Sequence, residues 1–287
     1  MLGSFKKAIF RALCLGALGL LGLMAEPNPE ELVGLGIKSY EKQDFSKARK
    51  YFEKACDLNI GEGCATLGML YEDGQGVEKN LTKASQYFSK ACELKDDKGC
   101  NNLGDLYQNG QGVEKNLTKA AQFYSKACDL KDRMGCFNLG ALYYNGEGVE
   151  KDLIKAAYFY AKACELNDGG GCVGLGFLYG SGDGVKQDSK KALALFEKAC
   201  DLNNGRGCSN LGFLYRSGEG VEKDLIKAAY FYAKACELND GGGCVGLGFL
   251  YGSGKGVEKN LTKAAQYVSK ACKLGDQKSC EMLKKLK

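Results

Sequence analysis

The chain has 287 residues, enough for one or two compact domains or one extended repeat array. Its 45% hydrophobic and 26% charged residues describe a folded protein, and its formal charge is +5. Histidine is absent, which excludes His-ligated metals, Ser-His-Asp and Cys-His nucleophiles, and the usual general base near neutral pH.

Residues 1–25 read as an export signal. Lys6, Lys7 and Arg11 form a basic start, Ala12 to Met24 is an uncharged apolar run, and Leu23-Met24-Ala25 is a small-residue cleavage site. The run is too short to span a membrane. Cys14 lies inside it and leaves with it. Losing the three basic residues takes the formal charge from +5 to +2, which gives no case for nucleic acid. Export places the mature chain in the periplasm or outside the cell, where cysteines pair.

The two prolines, Pro27 and Pro29, come next, so helices can run uninterrupted after residue 30. Beyond them a 36-residue period organises the chain. In one unit Cys100, Leu103, Leu106 and Tyr107 fall on one face of a first helix. Gly110 and Gly112 supply a helix C-terminus and a tight turn. Asn116 caps a second helix whose inner face is Leu117, Ala120, Ala121, Phe123, Tyr124 and Ala127. Asn80, Asp152, Asp188, Asp224 and Asn260 occupy the same capping position. Residues 148–182 and 220–254 are identical, the mark of a two-repeat duplication.

Fourteen cysteines follow this period as Cys56/Cys64, Cys92/Cys100, Cys128/Cys136, Cys164/Cys172, Cys200/Cys208, Cys236/Cys244 and Cys272/Cys280. Pairing within a hairpin, Cys64 with Cys92, strands Cys56 and Cys280, whereas pairing eight apart leaves none over. Eight residues of continuous helix separate Cα atoms by ~12 Å, beyond disulfide reach, so the chain must turn between the two, as at 129–135. The pairs read as structural staples. The spacing is not that of a zinc site, so neither a metal nor a cofactor is expected.

Leu-Gly-x-Leu-Tyr, then Lys-Ala-x-x-Tyr/Phe, then Lys-Ala-Cys resembles the Sel-like branch of tetratricopeptide repeats. Leu35, Gly36, Ala48 and Ala55 give residues 28–60 the look of an ordinary tetratricopeptide unit. With a Cys pair per repeat and an export signal, the chain is similar to the Helicobacter cysteine-rich protein family. The resemblance implies an all-α, right-handed α/α solenoid: one tetratricopeptide-like unit, six 36-residue units over 64–279, and a terminal helix over 280–287. It also implies penicillin binding and slow beta-lactamase activity. Serine beta-lactamases use Ser-x-x-Lys with Ser-Asp-Asn and Lys-Thr-Gly. In the mature chain only Ser39 and Lys42 match the first element, and the other two do not occur. No nucleophile is therefore named.

Tetratricopeptide solenoids line their concave face with first-helix residues. Here those are Asn101, Asn102, Asp105, Gln108 and Asn109, then Phe137, Asn138, Ala141, Tyr144 and Asn145, then Asn210, Phe213 and Arg216. Asn101, Asn102, Asn138, Asn210, Tyr144 and Arg216 are the candidate ligand-binding residues. Asn amides can pair with a peptide backbone. Phe177, Phe213 and Phe249 form an apolar strip beside them, which also suits inter-repeat core. The expected partners are extended peptides, beta-lactams, or host and envelope proteins, bound by a monomer. A plain non-catalytic scaffold is the alternative.

Gly-x-Gly, repeated from Gly74 to Gly256, lacks the strand and the Gly-Lys-Ser/Thr of a phosphate cradle and reads as a turn. Asn80-Leu-Thr82, Asn116-Leu-Thr118 and Asn260-Leu-Thr262 match the glycosylation tripeptide, but Asp at the equivalent positions fits only capping.

Overall fold

The computed structural model describes residues 28–285; the expected export signal lies outside them. Among the described residues every regular element is a helix. In chain order these are α1 (Pro29–Glu41), α2 (Phe45–Asp57), α3 (Gly61–Asp73), α4 (Leu81–Glu93), α5 (Asp97–Asn109), α6 (Leu117–Asp129), α7 (Arg133–Asn145) and α8 (Leu153–Glu165). They continue with α9 (Gly169–Ser181), α10 (Ser189–Asp201), α11 (Gly205–Ser217), α12 (Leu225–Glu237), α13 (Gly241–Ser253), α14 (Leu261–Lys273) and α15 (Gln277–Lys285). Odd-numbered helices are first helices of each hairpin and even-numbered helices are second helices. The last helix starts at Gln277 rather than 280, because Asp276 caps it by accepting the Ser279 N–H.

Local chemistry fixes each boundary. Asn80, Asn116, Asp152, Asp188, Asp224 and Asn260 all cap second helices through their side chains. First helices carry a second, unforeseen set of caps: Asp96, Asp132, Asp168, Asn204 and Asp240. Each first helix from α3 to α13 ends on a glycine in the left-handed region, as at Gly110 with φ 69°. The second glycine of the turn has a further reason. A Cβ on Gly76 would lie 2.6 Å from the Phe45 carbonyl carbon, so only glycine lets this turn sit on the preceding second helix.

The glycine of Leu-Gly-x-Leu-Tyr makes room for the core ring of its hairpin. A Cβ on Gly104 would lie 2.6 Å from the Tyr124 ring, and Gly68 stands in the same way over Phe88. Phe52, Phe88 and Tyr124 are fully buried with Leu67, Leu70 and Leu106. Tyr107 stacks on Phe123 at 5.5 Å, with Lys119 Nζ 5.1 Å from the Tyr107 ring centre. The same three-part stack recurs at Tyr71, Tyr143, Tyr215 and Tyr251.

Seven disulfides join cysteines eight apart: Cys56–Cys64, Cys92–Cys100, Cys128–Cys136, Cys164–Cys172, Cys200–Cys208, Cys236–Cys244 and Cys272–Cys280. Each crosses the turn from a second helix to the next first helix, with Cα–Cα distances of 4.5–4.7 Å. That turn closes because its middle residue adopts positive φ, as at Lys131 (71°) and Asn167 (62°).

The staples are also core: the first-helix partners Cys64, Cys100, Cys136, Cys172, Cys208 and Cys244 are fully buried. They are core residues, closed to solvent, and not positions of any open site. The reason is packing between repeats. Cys172 and Cys208 belong to one apolar cluster with Ala199 and Ala235, and Cys244 packs with Cys236 and Ala271. Each sulfur pair thus lies beneath the alanine that precedes the next repeat's second-helix cysteine. Lysines tie one repeat to the last as well: Lys90, Lys198 and Lys270 donate to the carbonyls of Cys56, Cys164 and Cys236.

Candidate functional site

Successive first helices from α3 to α13 touch one another, whereas second helices meet only sparsely across repeats. First helices therefore line the inner side of the curve. A recess of about 740 Å³ on that side runs from α7 to α11. Met134, Phe137, Asn138 and Tyr144 of α7 form one wall, Val173, Phe177 and Ser181 of α9 another, and Asp168, Asp183 and Arg206 the rim. Tyr160 of α8 forms the floor. Burial pushes the Tyr160 phenol up to about 12, against the lowering effect of the Arg206 charge.

A smaller recess of about 230 Å³ continues along the face, lined by Phe177, Asn210, Phe213 and Glu219. Beyond it the Arg216 guanidinium carbon lies 5.5 Å from the Phe213 ring centre and 5.6 Å from that of Phe249. Phe177, Phe213 and Phe249 are 46%, 41% and 52% exposed. Five residues after each repeat's first-helix cysteine, they form an exposed aromatic row rather than inter-repeat core.

The asparagines divide. Asn101 is buried and donates to Asp105 Oδ2 at 3.2 Å. Asn138 donates to Asn101 Oδ1 at 3.2 Å. The Tyr124 hydroxyl lies 2.7 Å from Asp105 Oδ1 and 2.6 Å from Gln108 Oε1. Desolvation raises the Asp105 carboxyl above its ordinary value, while hydrogen bonds from Tyr124 and Asn101 pull it back. Asn101 and Asn138 thus join repeats, a packing role that the sequence reading missed. Asn138 also borders the large recess and Asn210 the small one. Asn102 is half-buried and borders neither recess, Tyr144 is exposed, and Arg216 is half-buried. The structure brings Asn138 and Tyr144 together in the large recess, and it sets Asn210 and Arg216 farther along the same face.

Ser39 is 7% exposed and donates to the Leu35 carbonyl at 2.8 Å, one turn back in its own helix. Lys42 caps the end of α1.

Sel1 repeats match residues 32–60, 61–96, 97–132, 133–168, 171–204, 205–240 and 243–276. Among curated proteins, HcpC of Helicobacter pylori, named as a candidate beta-lactamase, is 67% identical over 81 residues, 28% of each chain. The beta-lactamase HcpA of Helicobacter pylori is 62% identical over 81 residues, 28% of this chain and 32% of the relative. The matched stretch therefore spans less than a third of either relative. Among solved structures, a Sel1 repeat protein from Oxalobacter formigenes superposes with a TM-score of 0.77 at 27% identity, covering 84% of this chain and 96% of the other. A protective antigen of uropathogenic Escherichia coli superposes with a TM-score of 0.75 at 29% identity, covering 88% and 55%. The chain belongs to the Sel1 repeat family, and its cysteine-paired repeats are similar to those of the Helicobacter cysteine-rich proteins.

Proposed function

We propose that this protein is an exported, monomeric binding scaffold whose inner helical face holds an extended segment of another protein. One observation carries the reading: the aromatic row Phe177, Phe213 and Phe249, with Tyr144 and Met134 beside it, is left open to solvent on the inner face. A folded chain gains by burying such rings, so a contiguous exposed row marks a surface completed by a partner. Seven disulfides support an oxidising compartment. Among the described residues no helix is long and apolar enough to cross a membrane.

A beta-lactam is a compact peptide mimic, and the names of HcpA and HcpC favour testing one in the same groove. Hydrolysis would need a nucleophile. Ser39 is a poor one, because its hydroxyl is held by the Leu35 carbonyl beneath the surface. Purified oxidised protein, titrated with a library of extended peptides and assayed for nitrocefin turnover, tests both. Peptide binding lost on Phe213→Ala supports the scaffold. Turnover without peptide binding overturns it.

A further inference from the structure

The first helices differ in charge along the chain, although Asp168, Asp183 and Glu219 from the loops also border the recesses of the later half. First helices α3 and α5 carry Glu62, Glu72, Asp73, Asp97 and Asp105 against one cation, Lys98. First helices α7, α9, α11 and α13 carry no carboxylate at all. Their only charges are Arg133, Arg206 and Arg216. Lysine, abundant on the second helices, is absent from these four. The aromatic row occupies the same half.

Arg206 and Arg216 are also uncommitted. Among the described residues neither pairs with a carboxylate, although Asp168 and Asp183 share the large recess with Arg206 and Glu219 borders the small one. The Asp168 carboxylate is engaged in capping, accepting the Gly171 N–H. Arg216 is placed by Phe213 and Phe249, and no acceptor among the described residues takes its N–H groups. A guanidinium held between rings with free donors suits bidentate binding of a carboxylate. In repeat α5–α6 the matching position is Gln108, next to Tyr124. In α11–α12 Arg216 takes that place; burial pushes the Tyr232 phenol up, and the Arg216 charge pulls against it.

We propose that the α9–α13 stretch selects an extended segment bearing acidic side chains between aromatic or apolar ones. Its carboxylates meet Arg216 and Arg206, and its apolar side chains cover Phe177, Phe213 and Phe249. This rests on the scaffold reading above and adds the chemistry of the partner. Two guanidiniums ten residues apart on one helix favour carboxylates spread along a segment over a single chain terminus.

The test uses the full oxidised protein and fluorescein-labelled, C-terminally amidated peptides alternating Glu/Phe, Gln/Phe or Lys/Phe, read by anisotropy. Glu/Phe is expected to bind tightest and to weaken as salt rises. Arg216→Gln should weaken Glu/Phe by about tenfold and leave Gln/Phe unchanged, with the melting temperature unmoved. Equal or tighter binding of Gln/Phe or Lys/Phe, or indifference to Arg216→Gln, overturns the proposal. So does a Gln/Phe peptide with a free C-terminus that matches Glu/Phe. If Gln/Phe binds as well as Glu/Phe and is lost on Phe177→Ala, the scaffold stands and only the charge selection falls. If no peptide binds, both fall.

Discussion

Asn138 on α7 donates to the side-chain oxygen of Asn101 on α5, 37 residues earlier, and to Asp105 Oδ1 at 3.5 Å, and thereby joins two repeats. Asn101 in turn holds Asp105, and Asp105 meets the hydroxyl of the core ring Tyr124. Hydrogen bonds to an ionised group are worth about 1.5–3 kcal/mol, so Tyr124→Phe should lower unfolding free energy within that range. Asn101→Ala should destabilise similarly, while Asn102→Ala, whose side chain joins no such network, should not. Urea unfolding of the three variants checks this.

The same network sets a pH dependence. Burial raises the folded-state carboxyl of Asp105 above its unfolded value. Its ionisation therefore costs stability that is present at low pH and lost as pH rises through the folded pKa. Asp105→Asn removes that cost. Its melting temperature relative to that of the parent should be highest at neutral pH and should fall as pH falls toward the ordinary carboxylate range. A relative melting temperature that rises on acidification would contradict the assignment.

Glycines of different surroundings should respond oppositely to alanine. Gly112 has φ 68°, and a Cβ there would collide with the Leu81 carbonyl of the preceding repeat. Gly112→Ala should cost more than about 1 kcal/mol, through strain and lost repeat docking. Gly34 lies within α1, and a Cβ there meets nothing within 4 Å. Gly34→Ala should stabilise by roughly 0.5–1 kcal/mol. Denaturant titrations of both variants compare them directly.

Reversing the staples should be costly. Intact mass of the chain lacking residues 1–25 should fall by about two units for each of the seven pairs relative to its reduced form, with no free thiol. Replacing Cys128 and Cys136 together by serine should cost about 2–3 kcal/mol through the freedom restored to the unfolded chain, and more because Cys136 is core. The buried partners Cys172, Cys208 and Cys244 should likewise resist mild reductant until the protein unfolds. A peptide map linking Cys64 to Cys92 would contradict the pairing.

Much of this fold is legible in the sequence because its signals are local. Asn116, Gly110 and the Cys128/Cys136 pair act within a few residues of themselves, so spacing alone reveals their roles. The caps Asp96 and Asp132 are equally local, yet the Leu-Lys-Asp run that holds them reads just as well as a plain turn. Asn101 and Asn138 are hidden for another reason. Their partners lie on other helices, and no periodicity tells an amide facing a ligand from one facing Asp105. The full burial of Cys172, Cys208 and Cys244 is equally non-local, because the alanines that cover them come from the following repeat. The openness of the Phe177 row is likewise undecidable from spacing, since the same positions suit buried packing between repeats.

The exposed aromatic row is the surface on which the binding function rests. Calorimetric titration of the oxidised protein and of its Phe177→Ala/Phe213→Ala/Phe249→Ala variant with one extended, aromatic-rich peptide tests it most directly. The parent is expected to bind and the variant to bind at least about tenfold more weakly, with matching melting temperatures. Equal affinity in the two proteins, or a variant that loses several degrees of melting temperature, would place the row in the structure instead.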